Sequence, residues 1–158
     1  LCLTALERRI QGGERVLDLG CGSGILSIAA LRLGAASALA VDIDEQCLTV
    51  ARDNAALNGI GPDTYTVRVG DLFTDEGFRA SLGGGYDILL ANIVADVIIR
   101  LCPSIRQFLK PNGYFLASGI IDERSVEVQK AILNCGMQIV DRREEGGWVA
   151  LRCRFAEE

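Results

Sequence analysis

Hydrophobic and polar positions along this chain fall into short blocks whose period changes repeatedly. Residues 14–19 make a brief apolar run around Val16-Leu17, and residues 86–91 another around Ile88-Leu89-Leu90. Neither alternates with polar positions, which is the pattern of strands buried on both faces. Further strands are predicted over 38–41, 65–69 and 114–118. Between them the period lengthens to that of a helix. Residues 25–33 are stopped by Gly34, 45–58 close on Asn58-Gly59, 94–109 end at Lys110-Pro111-Asn112-Gly113, and 122–134 follow. Residues 3–11 read as the end of a helix. The polar stretch 74–85 reads as one short helix and the loop Gly83-Gly84-Gly85. The last two blocks, 137–143 and 148–155, are strands joined across Glu144-Glu145-Gly146-Gly147, hence a hairpin.

Alternation of strand and helix implies parallel βαβ units. The expected fold is therefore α/β and Rossmann-like, with a mostly parallel seven-stranded sheet and helices on both faces. The closing hairpin adds one antiparallel edge strand. With no linker, repeat or low-complexity tract, residues 1–158 are expected to form a single domain, long enough for a sizeable core.

Composition removes several classes of function. The chain is 49% hydrophobic and 23% charged, an ordinary globular balance. No apolar run reaches the length of a membrane span and no signal peptide opens the chain, so no membrane partner and a cytoplasmic location are expected. The net charge of -5 and the thin spread of the basic residues disfavour nucleic acid as a direct partner. The six cysteines contain no C-x-x-C pair and mostly sit in apolar surroundings, as Cys153 does, so they read as reduced core residues. The absence of histidine removes Ser-His-Asp and Cys-His catalysis and most catalytic zinc sites, and no metal is expected.

The candidate chemistry begins at Asp18-Leu19-Gly20-Cys21-Gly22-Ser23-Gly24, between a strand and a helix. Gly20 and Gly22 permit a tight turn and close approach of a ligand to the backbone. The helix that follows offers unpaired N–H groups at its start. Asp42, at the end of the second strand, is placed to accept hydrogen bonds from ribose hydroxyls. Dinucleotide-binding folds share these features, so an NAD-dependent oxidoreductase is an alternative. Two details oppose it. A carboxylate at Asp18 repels a pyrophosphate and suits a cation, and the glycines alternate rather than following G-x-G-x-x-G. As plain structural readings, Asp18 would cap a helix or turn and Asp42 would close a strand.

The run Val16 to Gly24 resembles the first motif of class I methyltransferases dependent on S-adenosyl-L-methionine (SAM). Val41-Asp42-Ile43-Asp44 resembles their second-strand acid, and Gly70-Asp71-Leu72 their adenine-contacting segment. The resemblance implies a class I methyltransferase fold, with SAM held by Asp18, Gly20, Cys21, Gly22, Gly24, Asp42, Ile43, Asp71, Leu72 and Asn92. In that assignment Asp42 holds the ribose diol, Asp71 the adenine amino group, and Ile43 and Leu72 flank the ring. Ala91-Asn92-Ile93 keeps the Asn of the Asn/Asp-Pro-Pro-Tyr motif of amine and amide methyltransferases and lacks its prolines.

With Leu109 to Gly113, residues 51–59, Ala117-Ser118-Gly119-Ile120 and Gly147 to Leu151, the Ala-Asn-Ile run is similar to the bacterial ribosomal-protein lysine methyltransferase family. That family modifies the large-subunit protein L-eleven, so the resemblance implies a protein partner and transfer to lysine or α-amines. It also implies a preceding substrate-recognition domain, of which this sequence holds nothing. A nucleic-acid or small-molecule acceptor, and a non-catalytic SAM-binding module, are the remaining alternatives.

Methyl transfer of this kind needs position and desolvation more than an imidazole base. Asn92 is the candidate catalytic residue, orienting the amine through its side-chain carbonyl. Its plainer role would be to cap the helix starting near Val94. Ser118 is a secondary candidate, and Trp148, the only Trp, reads first as hairpin packing.

Overall fold

A computed structural model describes residues 1–157. After a short α1 (Cys2–Glu7) come β1 (Arg15–Leu19), α2 (Ile25–Leu33), β2 (Ser37–Asp42), α3 (Glu45–Leu57) and β3 (Tyr65–Val69). Then follow α4 (Glu76–Ser81), β4 (Tyr86–Asn92), α5 (Ala95–Leu101), a 3-10 turn over Cys102–Ser104 and α6 (Ile105–Phe108). The chain closes with β5 (Leu109–Ile121), α7 (Asp122–Asn134), β6 (Met137–Glu145) and β7 (Trp148–Phe155). None of these helices is long and apolar enough to cross a membrane.

The local chemistry explains most element boundaries. Asp44 caps α3 by accepting the Gln46 N–H at 2.9 Å, and Asp75 caps α4 through the Phe78 N–H at 2.8 Å. The helix expected over 94–109 is broken in two. Pro103 has no N–H to give and its ring crowds the preceding turn, so the chain tightens into 3-10 geometry before α6. β5 runs from Leu109, which faces Tyr86, but Lys110 to Gly113 bulge out of the ladder and its regular register begins with Tyr114 opposite Ile88.

The sheet order is β3-β2-β1-β4-β5-β7-β6. The first five are parallel, and β7 is antiparallel to both β5 and β6. The antiparallel strand thus enters one position inside the edge, and β6 lies outermost. Successive residues of the central strands serve opposite cores. Val16, Ile88, Leu90 and Leu116 pack with α1, α2 and α3, whereas Leu17, Leu89, Ala91 and Phe115 pack with α5, α6 and α7. This two-faced burial is why these strands carry no polar alternation. All six cysteines are free, and four of them are buried. Burial pushes their thiols upward, Cys2 to about 12, which makes them inert fillers rather than nucleophiles.

At the starting end of the parallel strands, Asp87 ties three of them together. Its Oδ2 accepts the Arg15 N–H at 2.9 Å and its Oδ1 accepts Lys110 Nζ at 2.9 Å. Partial burial opposes ionisation, but these bonds outweigh it and hold the Asp87 carboxyl below the usual carboxylate range. The opposite end of the sheet is left to loops.

Candidate cofactor cleft and acceptor pocket

Strand order reverses between β1 and β4, since β2 and β3 extend one way and β5 the other. In an open parallel sheet the chains leaving such a point diverge and leave a crevice at the carboxyl ends of the strands. A cleft of about 350 Å³ lies there. Its walls come from the ends of β1, β2, β3 and β4 and from α5.

The loop after β1 is pinned to β2. Gly20 and Cys21 both donate backbone N–H groups to Val41 O, at 2.8 and 3.0 Å. The Gly22 N–H donates to Asp42 Oδ2 at 2.9 Å, and Asp42 Oδ1 accepts the Asp44 N–H at 3.0 Å. Gly20, Gly22 and Gly24 all have positive φ, at 73°, 53° and 81°, a conformation that side chains resist. A β-carbon at Gly20 would also collide with Ile93 Cγ2, a wall of the cleft.

Of the expected cofactor residues, Gly20, Asp42, Ile43, Asp71 and Leu72 line this cleft. Ile43 is 69% exposed at one rim, while Leu72 is buried in the floor. Asp71 Oδ1 accepts the Phe73 N–H at 2.9 Å, a bond that keeps the carboxyl ionised below its ordinary range. Phe73 and Arg100, which the sequence reading missed, stack at 4.4 Å and close the far side. Cys21 and Gly22 build the loop, but the Cys21 side chain is buried and turned away from solvent.

Asp18 lies beneath the loop rather than in the cleft wall and is 1% exposed. Its Oδ2 accepts the Ser27 hydroxyl at 2.8 Å. Burial pushes its carboxyl up to about 6; the Ser27 bonds pull the other way and the Asp42 charge adds to the rise. Ser27 stands in the first turn of α2, whose N-cap Gly24 has no side chain to offer. The bond thus goes to a side-chain hydroxyl inside α2, whose cap position is Gly24.

Asn92 opens on a second pocket of about 520 Å³ beside the cleft, shared with Leu1, Ser118, Gly119, Glu145 and Trp148. It does not cap α5, whose N-cap is Val94 with no side-chain bond. Its neighbour in register on β5 is Ser118. Trp148 is 51% exposed and pairs across the hairpin with Glu145 and across the sheet with Ile121. Hairpin packing therefore accounts for only part of it. Glu145 lies in no motif and Trp148 falls within Gly147 to Leu151; the pairing of β7 with β5 and β6 sets both next to Asn92.

Seven strands in this order, with a glycine loop after β1 and an acid ending β2, define the fold of the class I methyltransferases. Across residues 1–156 the chain matches the family described as Ribosomal protein L11 methyltransferase (PrmA). It is 43% identical over 155 residues to the ribosomal protein L11 methyltransferase of Desulfitobacterium hafniense, covering 98% of this chain and 47% of that protein. A crystal structure of ribosomal protein L11 methylase from Lactobacillus delbrueckii subsp. bulgaricus superposes with a TM-score of 0.89 at 33% identity, over 98% of this chain and 77% of that one. An RNA methyltransferase from Salinibacter ruber in complex with S-adenosyl-L-homocysteine shares the fold, with a TM-score of 0.74 at 19% identity over 99% and 92% of the two chains. The chain belongs to the ribosomal protein L11 methyltransferase (PrmA) family. It spans about half the length of the curated relatives it matches.

Proposed function

We propose that this chain is the SAM-binding catalytic domain of an enzyme that methylates amine groups of ribosomal protein L11, on lysine side chains or the α-amine. The observation that carries this reading is the meeting of the glycine loop with Asp42 at the head of the cleft, in a chain of this family.

The residues fit the cofactor. Asp42 Oδ1 and Oδ2 face the loop and offer lone pairs to a ribose diol. Ile43 and Leu72 supply apolar walls for an adenine ring, and Asp71 an acceptor for its amino group. Glycine at positions 20, 22 and 24 lets a ligand approach the backbone. Asp18 beneath the loop disfavours a phosphate and favours the ammonium end of SAM. When bound, SAM supplies a methyl carbon made electrophilic by its sulfonium.

Asn92 orients the acceptor. Its side-chain carbonyl accepts an N–H of the incoming amine and turns the nitrogen lone pair toward the cleft. Glu145 gives the adjoining pocket a negative charge that favours approach of a lysine, and Trp148 offers an apolar wall to its methylenes. The protein works in the cytoplasm, where ribosomal proteins are made.

The test combines calorimetry with mass spectrometry. The chain binds SAM and not NAD; binding of NAD alone would overturn the reading. Purified ribosomal protein L11, incubated with the chain, the corresponding full-length protein and labelled SAM, gains methyl groups on lysine or its α-amine. Label on RNA or on no amine would refute the acceptor.

A further inference from the structure

We infer that Ser27 and Tyr65 are positioning residues for the amino-acid end of the cofactor, acting through the Asp18 carboxylate that they hold under the glycine loop. The inference rests on the SAM reading above and adds two residues that no motif marks.

Asp18, Ser27 and Tyr65 come from β1, α2 and β3 and meet in one buried chain. The Ser27 hydroxyl donates to Asp18 Oδ2 at 2.8 Å and lies 3.1 Å from the Tyr65 hydroxyl. All three residues are buried. Their surroundings are otherwise apolar: Leu26, Ile28, Ala51 and Val67 pack there. Buried polar chains of this kind are costly unless satisfied, and apolar side chains would fill the same space at less cost.

The third glycine of the loop exists for this chain. A β-carbon at Gly24 would lie 2.6 Å from the Tyr65 hydroxyl oxygen and 3.1 Å from Ala51 Cβ. Glycine there admits the hydroxyl and leaves α2 without a side-chain cap. Asp18 then sits by the positive end of α2, with Ser27 in its first turn.

What the carboxylate lacks is a countercharge. The titratable groups facing it are Cys2 from α1, Cys21 from the loop, Asp42 from the end of β2 and Tyr65 from β3. None is a cation. An ammonium arriving above the loop supplies the missing charge, and the hydroxyl chain keeps the carboxylate oriented and ionisable to receive it. Without that ammonium, burial leaves Asp18 taking up a proton near pH 6. Binding in that range therefore expels a proton.

Calorimetric titration of the 158-residue chain with SAM between pH 5 and 7.5 tests this, in buffers of different ionisation heat. The α-amine of SAM stays charged through most of this window, given an ordinary value of about 8. Wild-type affinity rises with pH up to roughly 7, with proton release around pH 6. In Ser27→Ala the rise moves to higher pH, so affinity falls on the order of tenfold at pH 6 and recovers toward wild type by pH 7.5. Tyr65→Phe moves in the same direction by less, and Ser27→Thr keeps the wild-type profile. Thermal melting identifies folded variants; if Ser27→Ala does not fold, Tyr65→Phe carries the comparison. Equal weakening at every pH would overturn the inference, as would wild-type SAM binding that is flat with pH and releases no proton. No SAM binding at any pH would bring down the proposed function itself, and this inference with it.

Discussion

The backbone N–H of Gly22 donates to Asp42 Oδ2 across 2.9 Å, so the glycine loop is tied to the end of β2. Asp42 thus has two duties, bracing the loop and presenting lone pairs to the cleft. Asp42→Ala should weaken SAM binding by about 1–3 kcal/mol, the worth of hydrogen bonds to a charged group. It should also cost about 1 kcal/mol of folding stability through the two lost backbone contacts. Calorimetry and thermal melting separate the effects. Unchanged SAM affinity would remove Asp42 from the ribose site.

Gly119 and Asn92 are coupled in the same way on the acceptor side. Gly119 has φ +77°, and a β-carbon there would lie 2.8 Å from Asn92 Oδ1. Gly119→Ala should lose about 1–2 kcal/mol from the left-handed backbone alone and displace the amide as well. Asn92→Ala should lower turnover much more than SAM affinity. Combined, the two should cost less stability than the sum of the single changes, because the collision partner has gone. Strict additivity in denaturant melts would argue that the side chains do not meet.

The buried Asp18 makes stability depend on pH with a definite sign. Its carboxyl is raised to about 6 in the folded chain, against an ordinary value near 4. The stabilisation is therefore fully present below about pH 4 and is lost as pH climbs through about 6. By pH 7.5 the unliganded chain should have lost up to about 3 kcal/mol from this group. Asp18→Asn should abolish that loss. Denaturant midpoints of both proteins at pH 5 and 7.5 give the difference, and parallel curves would show that Asp18 does not titrate there.

Asp87 has the opposite sign. Its carboxyl is held below the ordinary range, so its stabilisation is present above about pH 4 and is lost as pH falls through the lowered value. Asp87→Asn should cost about 1 kcal/mol at pH 7, because Lys110 is partly solvated and the pair is screened. The cost should shrink at pH 3. Urea melts at the two values check it, and an equal loss at both would point to geometry rather than charge.

Much of the fold was legible because burial on both faces leaves a local trace. Val16-Leu17 and Ile88-Leu89-Leu90 read as interior strands, and they are the centre of the sheet. The glycine loop was legible because positive φ restricts residue choice at 20, 22 and 24. The helix over 94–109 was misread through its apolar period, although Pro103 stands inside it and breaks it. Lys110 to Gly113, where the helix was expected to end, bulge out of the β4–β5 ladder, whose regular register begins with Tyr114 opposite Ile88.

The sequence by itself determined most of the elements, the parallel α/β class, the loop and the acids at the ends of β1 and β2. Each of these depends on residues a few positions apart. Only the tertiary structure decided that Ser27 and Tyr65 meet Asp18, that Trp148 and Glu145 stand beside Asn92, and that β7 enters between β5 and β6. Those meetings join residues far apart in the chain. They follow from strand order and crossover direction, which are set by how whole elements pack and which no local period of hydrophobic residues encodes.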